Sequence, residues 1–166
     1  MSGKRKRDYK KVLKAIKCMT RDRKLEKFVV DLESAMWRAI PQVFPDALVR
    51  GCSFHWSQCI WRKIQDIGLA PAYKHDNATH KLCRQFLALP YLPKEHIAAM
   101  FENLATKAAT PLLTELVTYI RINWIEGALW KPETWSVFGQ AVRTNNDVEG
   151  WHGMLNRHAK LGNLSF

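Results

Sequence analysis

The sequence predicts an α/β domain that is mostly helical, and two observations support this prediction. Two short apolar segments, 27–31 and 47–52, alternate with amphipathic stretches, which is the pattern of a βαβ unit with parallel strands. After Pro71 the chain holds three amphipathic stretches separated by prolines, which predict helices without a further strand. A chain of 166 residues suits one domain.

In the first half of the chain, apolar residues that recur every three or four positions predict helices over 7–23, 33–40 and 54–67. Pro41 is expected to end or kink the second of these helices, and Pro45 to stop whatever continues beyond it. Gly68 is the expected stop of the third helix, because glycine readily adopts the left-handed conformation found after helix ends.

In the second half the pattern predicts helices over 75–89, 93–107, 111–127 and 147–160. The segment 130–139 is rich in aromatic residues and shows no period, so we expect it to be irregular. The chain has seven tryptophans, at 37, 56, 61, 124, 130, 135 and 151. Most fall on apolar stripes, so core packing is favoured over stacking on nucleic-acid bases; Trp151 is the exception to watch.

Composition favours a soluble, globular, intracellular protein. Hydrophobic residues make up 47% of the chain and charged residues 25%. No apolar run reaches the roughly 18 residues of a membrane span, and no apolar segment follows the basic start as it would in a secretory signal. Four cysteines at irregular spacing do not form a disulfide framework, which favours a reducing compartment.

The net charge of +11 is concentrated at the start of the chain, where residues 1–28 hold 12 of the 26 lysines and arginines. Lys10, Lys14, Lys17 and Arg21 recur at helical spacing and therefore share one face of the first predicted helix. Such a face suits contact with DNA phosphates. A solvated helix surface remains the alternative.

Two acidic residues are candidates for metal-dependent chemistry. Asp31 falls where a strand ends and a helix begins, a position from which carboxylates hold metal ions on a rigid frame. Its alternative role is that of a helix N-cap. Glu149 lies in the first turn of the last predicted helix, and with Asn146 it also fits a capping box. His152 follows three residues later, on the same helix face as Glu149.

Cysteine and histidine pairs raise the alternative of a zinc site. Cys52 and His55 have the spacing of metal ligands, and His80 and Cys83 form a second pair on a predicted helix. Four such residues could hold zinc. The other interpretation is that a buried cysteine and a hydrogen-bonded histidine support the corner between a strand and a helix.

Three motifs together resemble the transposase domain of Mutator-like elements. They are Asp-Leu-Glu-Ser-Ala at 31–35, Cys-x-x-His at 52–55, and Arg-Thr-Asn-Asn-Asp-Val-Glu-Gly-Trp-His at 143–152. The resemblance implies an RNase H-like fold with a mixed sheet, flanking helices and a helical insertion at about 71–128. It implies an enzyme that cuts and joins DNA with two divalent ions, Mg²⁺ or Mn²⁺, held by three carboxylates.

The resemblance also implies roles for individual residues. Asp31 and Glu149 would be the second and third carboxylates of the catalytic metal site, so we expect them to approach each other in the folded chain. Asn145 and Asn146 would shape the turn before Glu149, and Cys52, His55 and His152 would support the site. DNA is the implied partner, together with self-association or another transposase subunit, and a nuclear location is implied in a eukaryotic cell.

One carboxylate of the resembled family has no counterpart in this sequence. The first catalytic aspartate belongs to strands that precede the segment present here, and the Met-Ser-Gly-Lys start resembles an interior piece of that domain. We therefore expect residues 1–166 to be one partial domain that lacks its first strands and is inactive alone. The alternative is a non-enzymatic module that binds DNA or a protein.

Overall fold

The structure is a computed structural model that describes residues 5–20 and 25–144. The described chain is a mixed α/β fold, mostly helical, with two parallel strands. Its strands are β1 (Lys27–Val30) and β2 (Leu48–Gly51). Its helices are α1 (Lys6–Met19), α2 (Ser34–Val43), α3 (Ser53–Asp66), α4 (Ala70–His75), α5 (Asn77–Leu87), α6 (Lys94–Ala105), α7 (Pro111–Ile120) and α8 (Pro132–Trp135).

The two strands pair in parallel, with Lys27 opposite Leu48 and Val30 opposite Gly51. Helix α2 connects them, so the predicted βαβ unit is confirmed. Because the strands are parallel and in this register, Asp31 and Cys52 follow them at the same edge of the sheet. That edge is where side chains from both strand ends can meet.

A small hydrophobic core lies between α1, α2 and the strands. Its buried members are Tyr9, Leu13, Ala39, Ile40, Val43 and Phe44, with Phe28, Val30 and Val49 packed against them. Tyr9 and Leu13 lie one turn apart on α1, which explains how an otherwise basic helix is fixed to the domain. Lys17 adds a polar contact, because its Nζ donates a hydrogen bond of 3.1 Å to the Val43 carbonyl.

The larger core is formed by the helices from α3 to α8, and tryptophans occupy its centre. The Trp56 ring stacks on Trp135 with centroids 4.3 Å apart and meets Trp124 edge-on at 5.0 Å. Trp124 stacks on Trp130, which meets Trp37 edge-on. These five side chains pack against one another inside the protein, as predicted, whereas Trp151 lies outside the described residues.

The prediction for Pro41 was only partly right, because α2 continues through this residue to Val43. Proline removes one backbone donor, yet the final turn is held by the burial of Ile40 and Val43 and by the bond from the Phe44 amide to the Ile40 carbonyl. Pro45 then follows the helix end, as expected.

The predicted helix 75–89 is wrong at its start, where the chain forms α4 and α5 instead. Pro71 occupies the first turn of α4, a position that proline tolerates, and Asp76 caps α5 by accepting a 2.8 Å hydrogen bond from the Thr79 amide. The predicted helix 111–127 ends earlier: α7 passes into a wider π-type turn over Arg121–Ile125. A Cβ on Gly127 would lie 2.3 Å from the Asn123 carbonyl oxygen, so only glycine fits after this turn.

The segment from 70 to 125 is described throughout and contains no strand, which confirms the prediction of helices there. Short helix α8 falls inside the segment 130–139 that was predicted to be irregular. Within the described ranges, no helix combines the length and the apolar character needed to cross a membrane.

Candidate functional site

Asp31 lies directly after β1, at the edge of the sheet where both strands end. Its backbone carbonyl accepts a 2.8 Å hydrogen bond from Trp37 Nε1, which fixes the strand end against α2. The Asp31 side chain is half exposed, at 52%. The carboxylate is therefore held by its backbone while remaining accessible to solvent and to a ligand.

Cys52 and His55 come to the same place from β2. The Cys52 amide donates a 3.0 Å hydrogen bond to the Val30 carbonyl, which extends the pairing of the strands by one residue. Cys52 is buried, and His55 follows in the first turn of α3 with 17% of its side chain exposed. Its Nδ1 lies 3.3 Å from Asp31 Oδ1. The fold thus brings Asp31, Cys52 and His55 to the same corner.

The third motif reaches this corner through its first residue. The Arg143 carbonyl accepts a 3.1 Å hydrogen bond from the Ser53 amide and a 3.0 Å bond from the Ser53 hydroxyl. The first amides of a helix have no partner within the helix, and here a carbonyl 90 residues away supplies one. These two bonds fix Arg143 against Ser53 at the start of α3. Ser53 precedes His55 by two residues.

This contact was not predicted from the sequence, because every residue has a backbone carbonyl and the residue type does not indicate which one accepts a bond. The remaining predicted residues of the third motif, Asn145, Asn146, Glu149 and His152, lie outside the described residues. The expected approach of Glu149 to Asp31 therefore stays a prediction.

In the described residues, the two cysteine–histidine pairs do not form a common zinc site. Cys83 is buried in the helical core, where burial raises the pKa of its thiol to about 11. His80 Nδ1 lies 3.0 Å from the Tyr73 carbonyl, and its ring stacks on Tyr73. Within 5–20 and 25–144, no three His, Cys, Asp or Glu side chains are grouped as metal ligands would be.

Glu33, the second acid of the first motif, has a partner on α1. The Tyr9 hydroxyl donates a 2.9 Å hydrogen bond to Glu33 Oε2, between residues 24 positions apart. Burial of Tyr9, followed by this bond and the negative charge of Glu33, raises the pKa of the phenol from 10.0 to about 12. The glutamate thus joins α1 to the start of α2, a role that the sequence did not indicate because Tyr9 fitted the apolar stripe.

We expect this pair to make the fold sensitive to alkaline pH. The raised pKa favours the protonated phenol in the folded state, so its stabilisation is complete below pH 10 and is lost as the pH rises from 10.0 to about 12. The expected decrease in the free energy of unfolding is about 2 kcal/mol. Urea titrations between pH 9 and 12 should show that this decrease is absent in Tyr9→Phe. An equal decrease in both proteins would assign it to other groups.

The predicted DNA-binding lysines differ in how they are placed. Lys14 is exposed on α1 and Lys10 is partly exposed. The Lys17 ammonium is bound to the Val43 carbonyl and lies 5.7 Å from the centre of the Phe44 ring. It therefore covers the end of α2, a local role that the spacing did not reveal. Arg21 lies outside the described residues.

No protein-family model, no curated protein and no solved structure matches this chain. The resemblance to Mutator-like transposases accordingly remains an expectation from three motifs.

Proposed function

We propose that this chain is a transposase-derived domain of RNase H-like type whose site binds a divalent metal ion through Asp31 and Glu149 and whose basic first helix binds DNA. The observation that carries the proposal is that the first two motifs meet at one corner together with Arg143, the first residue of the third motif. Asp31 and His55 are in contact there, and Arg143 is hydrogen-bonded to Ser53 beside them.

The position of Arg143 limits where Glu149 can be. Glu149 is six positions further along the chain, and an extended chain of that length spans at most about 21 Å. Asp31 and Ser53 both lie at the carboxyl-end edge of the sheet, so a chain of this length is long enough to bring Glu149 to Asp31. A helix beginning near Asn146, as its capping box predicts, would shorten that distance further.

The residues at this corner suit Mg²⁺ or Mn²⁺ in chemical type, because both ions prefer carboxylate oxygen. Metal ions bound here would stabilise the attacking and leaving oxygens of a phosphodiester. Asp31 would supply one fixed, solvent-accessible oxygen ligand. His55, 3.3 Å from the Asp31 carboxylate, would orient it.

We expect metal binding to depend on both acids. Asp31→Asn and Glu149→Gln should each weaken Mn²⁺ binding about tenfold or more, because each removes a charged oxygen ligand. The measurement is the free Mn²⁺ signal in electron paramagnetic resonance titrations. Glu133→Gln, which removes an exposed acid on α8, is the matched control.

The outcomes separate cleanly in that titration. Loss of binding in both site variants with an unchanged control supports a shared site. Equal affinities in all four proteins would show that Mn²⁺ does not bind at this corner. Loss in Asp31→Asn alone would place Glu149 elsewhere and overturn the transposase-type site.

We expect no strand cleavage by the 166-residue chain in Mg²⁺ or Mn²⁺. The resembled family holds its two catalytic ions with three carboxylates, so Asp31 and Glu149 would bind a metal ion but leave the catalytic site incomplete, and Glu33 is engaged by Tyr9. Conversion of supercoiled plasmid to nicked circles is the assay. Nicking that disappears in Glu149→Ala would contradict this expectation and would make the chain an active nuclease.

A second candidate function is a non-enzymatic module that binds DNA or a protein. The observation in its favour is α1, which is joined to the domain by Tyr9 and Leu13 and carries lysines on its outer surface. The same helix exposes Val12, Ile16 and Met19, so self-association or contact with another transposase subunit would use a neighbouring face. Metal-independent, salt-sensitive DNA binding favours this candidate, and a nuclear location would suit either one.

A further inference from the structure

A groove between α3, α4 and α5 is lined by two aromatic side chains and one cationic side chain and by no acid. Its lining residues are Ser57, Tyr73, Arg84, Leu87, Ala88 and Tyr91. The groove, which we call the tyrosine groove, has a volume of about 340 Å³, within the range of small-molecule sites. Within the described ranges, neither the Arg84 guanidinium nor the hydroxyls of Tyr73 and Tyr91 form a hydrogen bond or ion pair with another side chain.

The Tyr73 ring is held by its neighbours, and Tyr91 is presented at the end of a short turn. The Tyr73 ring stacks on His80 with centroids 4.4 Å apart and meets Trp61 edge-on at 5.0 Å. Tyr91 ends a 3-10 turn whose other residues, Leu89 and Pro90, are buried, while Tyr91 itself is 49% exposed. An aromatic ring that is already held, such as that of Tyr73, binds a flat ligand with little loss of conformational entropy.

The tyrosine groove and the candidate site share helix α3. Ser57 lies one turn beyond Phe54 on the same face of α3. Phe54 is 38% exposed, and its ring lies 5.6 Å from that of His55. His55 and Ser57 lie on different sides of α3, so a strand of DNA positioned at Asp31 and His55 would have to pass over the exposed Phe54 and around the helix to enter the groove.

We propose that the tyrosine groove binds an unpaired nucleotide of a DNA strand, with the base against Tyr91 and Tyr73 and the phosphate at Arg84. This proposal rests on the proposed function, because it identifies where the substrate strand runs next to the metal site. Aromatic surfaces combined with a cation and no acid are the means by which proteins bind single strands without reading sequence. A protein partner could also pack against the aromatic rings, but it would not by itself explain why Arg84 lies beside them without an acidic partner.

The test uses a fluorescein-labelled single strand of twelve thymidines, without metal, and fluorescence anisotropy. All proteins carry Lys10→Ala and Lys14→Ala so that α1 contributes little. Tyr91→Leu should weaken binding about fivefold or more. Arg84→Gln should reduce the dependence of log affinity on log salt by about 0.7. An abasic strand of equal length should bind equally to the parent protein and to Tyr91→Leu.

Two substitutions elsewhere are matched controls: Lys81→Gln, on the same helix as Arg84 but in a different groove, and Phe138→Leu, an exposed aromatic residue like Tyr91. Both should leave the affinity unchanged. Unchanged affinity in Tyr91→Leu and Arg84→Gln would overturn the proposal and leave the tyrosine groove to a protein partner. Equal weakening for the abasic strand would also overturn it, because no base would then be stacked. Mn²⁺ binding at Asp31 is measured separately, so failure of one proposal does not mimic failure of the other.

Discussion

Replacing Trp56 by alanine should lower the free energy of unfolding by about 3–5 kcal/mol. Trp56 is fully buried, stacks on Trp135 and meets Trp124 edge-on, so the substitution leaves a large cavity and removes two aromatic contacts. Whole domains are stable by only about 5–15 kcal/mol, so this single change removes much of the total. Urea denaturation followed by circular dichroism is the measurement.

Two further variants keep this prediction testable if the alanine protein does not fold. Trp56→Phe keeps an aromatic ring in the core and removes an indole N–H that has no hydrogen-bond partner among the described residues. Its decrease in the free energy of unfolding should therefore be smaller than that of Trp56→Ala. Phe138→Ala, at a side chain 57% exposed, should change stability by no more than about 0.5 kcal/mol. A loss below about 1 kcal/mol in Trp56→Ala would show that the tryptophan cluster is not the centre of the core.

Replacing Lys10, Lys14 and Arg21 by alanine should remove most of the affinity of this chain for duplex DNA. The slope of log affinity against log salt is negative, and each phosphate contact that is lost should make it less steep by about 0.9. We expect the parent protein to bind with a dissociation constant on the order of 10⁻⁴ to 10⁻⁶ M, as is typical of non-specific binding. Titrations of a labelled duplex at two salt concentrations measure both quantities.

Lys17 is the matched control, because it belongs to the same predicted basic face but is bound to the Val43 carbonyl. Lys17→Ala should leave the salt slope nearly unchanged and lower stability by up to about 1 kcal/mol, through loss of a cation at the end of α2. Equal slopes for the parent and the triple variant would mean that the basic face of α1 is only a solvated surface. A large effect of Lys17→Ala on the slope would show that this lysine leaves α2 to bind phosphate.

Much of the fold was predictable because its signals are local. The strands 27–30 and 48–51 follow from short apolar runs, and α3 follows from the period of its buried residues. The separate helix α4 and the break at Asp76 that follows it were not predictable in the same way. Pro71 is compatible both with a loop and with a first helical turn, so the sequence did not indicate that a helix begins there. The π-type turn after α7 contains Trp124, which stacks on Trp130 and meets Trp56 edge-on. Packing of this kind cannot be read from the period of a single helix.

In the candidate site too, the contacts that follow from local patterns were predictable, and those that depend on tertiary packing were not. The meeting of Asp31 with Cys52 and His55 follows once the strands are recognised as parallel, because their carboxyl ends share an edge. The bond between Tyr9 and Glu33 and the docking of Lys17 on α2 required knowledge of how α1 lies on the domain. Spacing along α1 identified which residues share a face, but not which of them meet a carbonyl.

The contact between Ser53 and the Arg143 carbonyl has a consequence for the order of folding. Closing a loop of 90 residues costs entropy, and this cost is reduced once the intervening helices have collapsed into a compact body. The corner that holds Asp31 and His55 should therefore gain its last segment late, after α3 to α8 have come together. Substitutions at that contact would then accelerate unfolding while leaving the refolding rate nearly unchanged. Substitutions in the tryptophan cluster would slow refolding if those rings meet before the transition state.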